Sequence, residues 1–441
     1  MFSGERRLDP SQILVIGFGI VILIGSFLLS TPWAVKEGSI NWLTALFTAT
    51  SAVCVTGLVV VDTQTHWTLF GQVIILLLIQ IGGLGIMSFA TFFFLLLGKK
   101  INLRQRIIMQ QAINKHSVEG IVNIFRYLLF FSFTIEAIGT ILLAIHWTSL
   151  MGIKKALWFG LFHSVSAFNN AGFDLFGNFR SLTGFSTDLI TNFIISSLII
   201  LGGLGFVVVH EIYSLKKVAK LSLHAKVTLI STAILIITGT ILILSCEYNH
   251  ALSEYTWSGK LVASYFQAVT PRTAGFNTVD LGGLLIPTQL LIMVLMFIGG
   301  SPGSTAGGIK TTTFTLLWLA IYSLLKGKKD TEIYGRRIRY EDVLRALSIA
   351  LLSVFFIIFI TFLILLTHKT DMLKAMFEVI SALGTVGLTL GLTTDLNSLG
   401  RVLIIITMFV GRLGPLTIGY ALAYQKKQPD LRYPEGKIML G

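Results

Sequence analysis

Eight stretches of this chain stay apolar for about the length of a bilayer crossing: 12–31, 70–97, 121–147, 189–215, 227–247, 286–325, 343–367 and 401–424. A helix needs roughly 20 such residues to cross about 30 Å of hydrocarbon, so each stretch predicts a span, and 286–325 exceeds what one crossing requires. Between the spans lie shorter apolar pieces, such as "SAVCVTGLVVVDT" (51–63), rich in β-branched residues and unable to cross alone. The first span is too long for the apolar core of a signal peptide and lacks a small-residue cleavage site, so it is expected to remain a span. The pattern predicts an all-α polytopic membrane protein.

The short pieces are relatives of one another. "FTATSAVCVTGL" (47–58), "FHSVSAFNNAGF" (162–173), "YFQAVTPRTAGF" (265–276) and "FEVISALGTVGL" (377–388) align on Gly57, Gly172, Gly275 and Gly387, which recur 103 to 115 residues apart. Each has an aromatic ten residues before the glycine. Ser-Ala stands six and five residues before it in three copies, with Val269-Thr270 in the third. A second echo follows in the later span of each unit: "IGGLG" (81–85), "LGGLG" (201–205), "IGGSPG" (298–303) and "VGRLGP" (410–415). The unit is span, re-entrant segment, span, and a period of this length marks a repeat architecture. The expected divisions are 1–100, 101–220, 221–330 with a broken second span, and 331–441 with a C-terminal tail. Two crossings per unit make the repeats parallel, so they can surround an axis normal to the membrane. The predicted architecture is eight spans plus four re-entrant pore segments around a single central pore.

Composition agrees with a membrane protein: 54% of residues are hydrophobic and 12% charged, against about 25% charged in soluble domains. The net charge of +13 would fit a nucleic-acid binder, but its distribution says otherwise. Lys and Arg gather in alternate connections: Arg6 and Arg7, Lys99 to Lys115, Lys216 to Lys226, Lys326 to Arg345, and the tail from Lys426. The positive-inside rule then makes both termini cytoplasmic in a multi-pass cell-membrane protein. Cys54 and Cys246 form no framework and no metal set.

Irregular backbone at membrane depth survives only when buried in protein or lining water. Four short helices, each followed by an extended glycine-containing segment, meet both conditions by converging on one axis, where carbonyl oxygens replace the hydration shell of a cation. The candidate filter is Val55-Thr56-Gly57, Asn170-Ala171-Gly172, Thr273-Ala274-Gly275 and Thr385-Val386-Gly387, with potassium at the filter as substrate rather than resident metal. Glycine suits the crowded point because it accepts φ > 0 and close approach. Asp62, Asp174, Asp280 and Asp395 follow at offsets of five, two, five and eight, and are candidates for an outer vestibule that concentrates cations; acidic loops are also common without function. Glu136, an isolated intramembrane acid, is expected to pair with a neighbouring helix.

"FIGGSPGSTAGGIKTTT" (297–313) departs from the other repeats. A proline costs about 3 kcal/mol in a helix interior and a glycine about 1, so a broken segment is expected near mid-membrane, directly below the filter. The gate candidates are Gly299, Gly300, Ser301, Gly303, Ser304, Thr305, Ala306, Gly307, Gly308 and Lys310, with Arg412 in the last span facing the pore as a barrier or neutralised by loop groups. Arg272 is expected to hold filter carbonyls from behind. Catalysis is not expected. Gly299 to Gly303 fits G-x-S-x-G but follows an apolar span instead of a strand. Lys310 does not follow its glycine as a phosphate loop requires, and His210-Glu211 lacks the second histidine of a zinc protease.

"VTGL", "NNAGF", "TPRTAGFN", "GTVGLT", "GGSPGSTAGGIK" and "GRLGPLT" together resemble the Trk/Ktr/HKT superfamily of potassium transporters, most nearly its bacterial Ktr-type membrane subunit, over essentially the whole chain. The resemblance implies four membrane–pore–membrane repeats, filter glycines at Gly57, Gly172, Gly275 and Gly387, a gating loop at about 299–310, and Arg412 beneath the filter. With glycine at all four positions, it implies selectivity for potassium, with sodium as a candidate activator. It also implies a homodimer on a cytosolic RCK-type (KtrA/KtrC-like) regulatory ring, which would bring the nucleotide because this chain carries no cofactor of its own. The basic connection 326–345 would be the docking surface and membrane lipid the other neighbour. Two other readings stand beside the pore: a sodium- or proton-coupled symporter working by alternating access, and a membrane hydrolase built on Ser301.

Overall fold

The computed structural model describes residues 10–36, 41–85, 121–215 and 221–422. The basic residues Arg6, Arg7, Lys99 to Lys115, Lys216 and those from Lys426 onward lie outside them, as does the distal half of the 70–97 stretch.

Among the described residues, four helices are long and apolar enough to cross a membrane: α1 (Pro10–Leu29), α4 (Ile121–Met151), α8 (Leu223–Glu247) and α12 (Tyr340–Thr367). Each is followed by a short helix: α2 (Trp42–Val53), α5 (Ile153–Phe168), α9 (Trp257–Val269) and α13 (Met372–Gly384). A third helix completes each unit: α3 (Leu69–Leu84), α6 (Leu189–Gly203), α10 (Ile286–Phe297) and α14 (Ser398–Leu413). After the break in the later units come α7 (Phe206–Leu215), α11 (Thr311–Leu325) and α15 (Pro415–Leu422). The long helices leave Phe27, Phe130, Ile145, Ile241, Phe355 and Leu366 exposed, an apolar exterior that would aggregate in water and is at home in hydrocarbon.

Each long helix packs along its own short helix. Each third helix packs against the short helix of the following unit: α3 on α5, α6 on α9, α10 on α13, and α14 back on α2. The chain therefore closes a cycle, and the short helices, the most buried, occupy its interior. Local sequence sets their starts. Asn41 caps α2 through Leu43 N–H, Thr256 caps α9 through Gly259 N–H, and Thr68 and Asn397 cap α3 and α14, each offsetting an unpaired helix donor.

The glycine echo in the third helices has a packing cause. Gly82, Gly202 and Gly411 lie against carbonyls in the last turns of α2, α5 and α13, those of Val53, Phe168 and Leu383, where a β-carbon has no room. Gly85, Gly205 and Gly414 then end or bend their helices with φ of +83°, +92° and +85°. A break was expected in the third unit alone. Instead α3 stops at Leu84, α6 and α7 meet at 101°, and α14 gives way to α15. The shared glycine breaks every one of these helices, because a residue that allows close approach also admits φ > 0. The basic connection after α11 forms a two-stranded hairpin, β1 (Glu332–Ile333) on β2 (Arg336–Arg337), turned by Tyr334 and Gly335.

Candidate functional site: a closed ring of glycines and the loop against it

The residue two before each aligned glycine has φ > 0: Val55 (+55°), Asn170 (+57°), Thr273 (+78°) and Thr385 (+51°). The glycines themselves do too, at +89°, +69°, +81° and +93° for Gly57, Gly172, Gly275 and Gly387. A β-branched residue in this region is strained by about 1–3 kcal/mol and persists only where its surroundings impose it. Three of these four are β-branched. Left- and right-handed residues alternating along a segment turn successive carbonyls to one side, unlike the alternation of a β-strand.

The four segments meet. A β-carbon built on Gly57 would lie 2.5 Å from the Ala171 carbonyl oxygen and 3.0 Å from Gly172 Cα. One on Gly172 would lie 2.8 Å from the Ala274 oxygen and 3.0 Å from Gly275 Cα. Gly275 abuts the Val386 oxygen in the same way, and Gly387 abuts that of Thr56. The contacts run from the first segment to the second, third, fourth and back to the first, so four equivalent carbonyls and four glycines form one ring. Thr56, Asn170, Thr273 and Thr385 each hold a buried side-chain oxygen with no hydrogen-bond partner.

A hydroxyl residue anchors each segment to its short helix. The carbonyls of Ser51, Ser166, Thr270 and Ser381 accept from Thr56, Ala171, Ala274 and Val386 N–H at 2.8 to 2.9 Å. The hydroxyls of Ser51 and Ser381 accept from Gly57 and Gly387 N–H, at 3.1 Å each, whereas Ser166 and Thr270 donate to the carbonyls of Phe173 and Phe276. This corrects the alignment of the third copy. Thr270, five residues before its glycine, does the work of serines that stand six before theirs, and Phe266 rather than Tyr265 joins Phe47, Phe162 and Phe377 as the fully buried aromatic.

The interrupted stretch between α10 and α11 is an ordered loop. Gly299 and Thr311 N–H bond to the Ile309 and Gly300 carbonyls, and the Lys310 ammonium donates to the Ala306 carbonyl at 2.7 Å. Ser301 and Thr305 N–H reach the Gly203 and Gly202 carbonyls at the end of α6, and Phe206 N–H reaches Gly303. The loop also touches the ring segments: the Asn170 amide donates to the Thr305 hydroxyl at 2.8 Å, and Gly307 backbone lies against the Thr385 side chain. Ser304 bonds within the loop and Gly308 turns it with φ +66°. Buried Ser301 faces Thr311 at 3.2 Å, and among the described residues no histidine hydrogen-bonds it.

Arg412, which stands where the other units have the second glycine of their pair, donates to the Thr305 carbonyl and to the carbonyls of Gly82 and Gly83, the last at 3.1 Å. It thereby joins α14 to the loop and to the C-terminus of α3, whose carbonyls carry partial negative charge. Arg272 does not hold filter carbonyls: its guanidinium is buried and bonds the Thr232 hydroxyl of α8 at 3.3 Å, because its side chain leaves the segment on the side of the long helix. Glu136 pairs as expected, accepting from Gln80 of α3 at 2.9 and 3.0 Å and from Asn169 at the end of α5 at 2.9 Å.

The four acids are not equivalent. Asp62 accepts from Thr65 N–H and from Phe179 N–H, at 2.8 and 3.0 Å, tying two connections together. Asp174 accepts from Phe176 N–H at 3.0 Å; burial pushes its carboxyl up to about 7, that donor opposes the rise, and the charge of Asp62 adds to it. Asp280 is exposed on its loop and Asp395 is exposed at the end of a short helical turn, Leu392–Asp395.

A profile of the TrkH family, described as cation transport proteins, matches residues 5–432. The chain is 42% identical over 437 residues to Ktr system potassium uptake protein B of Bacillus subtilis, covering 99% of this chain and 97% of that one. It is 42% identical over 445 residues to the potassium/sodium uptake protein NtpJ of Enterococcus hirae, covering 99% and 98%. Among solved structures, the potassium transporter TrkH from Vibrio parahaemolyticus shares the fold with a TM-score of 0.77 at 19% identity, over 96% of this chain and 86% of that one.

Proposed function

Because this chain belongs to the TrkH family of cation transport proteins, we propose that it is a potassium-selective uptake pore whose filter is the glycine ring and whose gate is the loop at 299–310. Membership and the long apolar helices make it a multi-pass membrane transporter, not an enzyme. The observation that carries the filter reading is the closed ring of Thr56, Ala171, Ala274 and Val386 carbonyls against glycines that a β-carbon would push apart. A dehydrated potassium ion needs several oxygens at once, and backbone carbonyls fixed by φ > 0 geometry supply them without charge. The names of the curated relatives favour potassium as the substrate.

The gate reading is supported by the loop's hydrogen bonds to Asn170 and Arg412 and by the Gly307 backbone lying against the Thr385 side chain. Uptake needs no hydrolysis in this subunit. About 2.3 kcal/mol per charge per 100 mV, against about 1.4 kcal/mol per tenfold gradient, sustains roughly fiftyfold accumulation. A homodimer, cytoplasmic termini and a nucleotide-binding RCK-type ring docked on the basic connection 326–345 complete the proposal, supported by the Ktr-system relative and by Arg336 and Arg337 exposed on the hairpin within that connection.

Direct ion binding tests the filter. Calorimetry on the purified chain is expected to show potassium and rubidium binding at one competitive site, with sodium weaker. Gly275→Ala should abolish it in protein that elutes as wild type; undiminished binding would put the cation elsewhere.

A further inference from the structure

Three residues before each anchoring hydroxyl, the short helices carry Thr48, His163, Gln267 and Glu378, all buried. Three of these four side chains reach across to the chain leaving the ring. His163 Nδ1 bonds the Phe159 carbonyl at 2.7 Å, which requires a proton on Nδ1, so Nε2 is free to accept from Leu175 N–H at 3.3 Å. Packing against Trp147 and Phe176 fixes that ring. The Gln267 carboxamide, with its oxygen toward the exit segment, accepts from Thr278 and Val279 N–H at 3.2 and 3.1 Å. Glu378 accepts from the Thr389 hydroxyl at 2.7 Å and from that of Thr393. Leu175 and Thr278 stand three residues past their glycines and Thr389 two past. In the first unit Thr48 is too short, and its hydroxyl has no partner.

We propose that His163, Gln267 and Glu378 are positioning residues that set the outer width of the ring, each acting as a hydrogen-bond acceptor that draws its exit segment back against its own short helix. The inference rests on the filter reading. An imidazole, a carboxamide and a carboxylate occupy one structural position, and what they share is an acceptor at the end of a side chain of similar reach. A residue selected only to fill the core would be apolar there, since a buried polar group costs free energy unless its partner is in place. Without the acceptor, the exit N–H or hydroxyl is orphaned and the carbonyls before it lose one of their two fixed ends. The spacing that distinguishes potassium from sodium would relax while a conducting path remains.

The full-length chain reconstituted in liposomes tests this through the potassium-to-sodium permeability ratio taken from reversal potentials. Gln267→Leu and Glu378→Leu are expected to lower the ratio about tenfold, the effect of orphaning a buried donor. His163→Gln and Glu378→Gln, which keep an acceptor at the same reach, should stay within about twofold of wild type. Gly387→Ala reports on the filter itself. If it lowers the ratio while both leucine variants keep the wild-type value, the positioning role is overturned and the filter reading stands. If it leaves the ratio unchanged, the filter reading has failed. Should the leucine variants not assemble, Thr389→Val combined with Thr393→Val removes both donors from the other end. A lowered ratio there supports the proposal, an unchanged one overturns it, and glutamine variants as poor as leucine overturn it as well.

Discussion

The side-chain amide of Asn170 donates to the hydroxyl of Thr305 at 2.8 Å, linking a ring segment of the second unit to the loop of the third across 135 residues of sequence. Thr305 also donates to the Phe168 carbonyl at 3.2 Å and offers its own carbonyl to Arg412, so one residue of the third unit is tied to the second and the fourth. Thr305→Val keeps the shape and removes the hydroxyl. A net hydrogen bond is worth about 1 kcal/mol, so potassium leak through the closed state should rise about fivefold in liposome efflux. An unchanged leak would mean that this contact does not hold the loop shut.

Gly57→Ser bears on the ring directly. With φ at +89° and the Ala171 oxygen 2.5 Å from the added carbon, the two neighbouring segments must separate. The left-handed conformation itself costs a non-glycine residue about 1–2 kcal/mol, and the potassium-to-sodium ratio should fall about tenfold on that scale. Competition flux with rubidium and sodium measures it.

Arg412→Gln removes a cation held by carbonyls of two units. The loop loses a charge-assisted tie, worth about 1.5–3 kcal/mol, and permeating cations lose a nearby positive charge. Efflux should increase at least about tenfold on that scale. Lower flux in a monodisperse protein would show that the arginine is no barrier.

Asp174 gives the outer mouth a pH dependence. Burial pushes its carboxyl up to about 7, so it is expected to gain negative charge, and with it attraction for cations, as pH rises from 6 to 8. At low external potassium, uptake should therefore rise about twofold or more from pH 6 to pH 8, as expected for one added charge at a focused entrance. Asp174→Asn should flatten that rise; a profile of wild-type slope in this variant would assign it to another group.

The sequence makes the glycine alignment visible because a β-carbon at the point where neighbouring backbones touch meets a carbonyl oxygen, at a φ that favours glycine, so the same letter recurs at the same place. The anchoring hydroxyl was half visible. Ser51, Ser166 and Ser381 line up, but a one-residue shift in the third unit hid Thr270 behind Val269, and two adjacent aromatics, Tyr265 and Phe266, made either register plausible. The breaks in α3, α6 and α14 were not legible, since a glycine pair inside an apolar run also reads as an intact span. Nor was the direction of Arg272, which depends on a side-chain exit angle that spacing does not encode. Nothing in the sequence sets Glu378 apart, because its partners, Thr389 and Thr393, lie past the glycine and come near only when the chain folds back.

The most direct measurement is the flux of potassium against sodium through the purified full-length chain in liposomes under an imposed potential. Potassium flux that follows the potential alone and exceeds sodium flux is the predicted result. Potassium movement that requires a sodium or proton gradient would contradict a pore and make the ring a binding site within a coupled transporter.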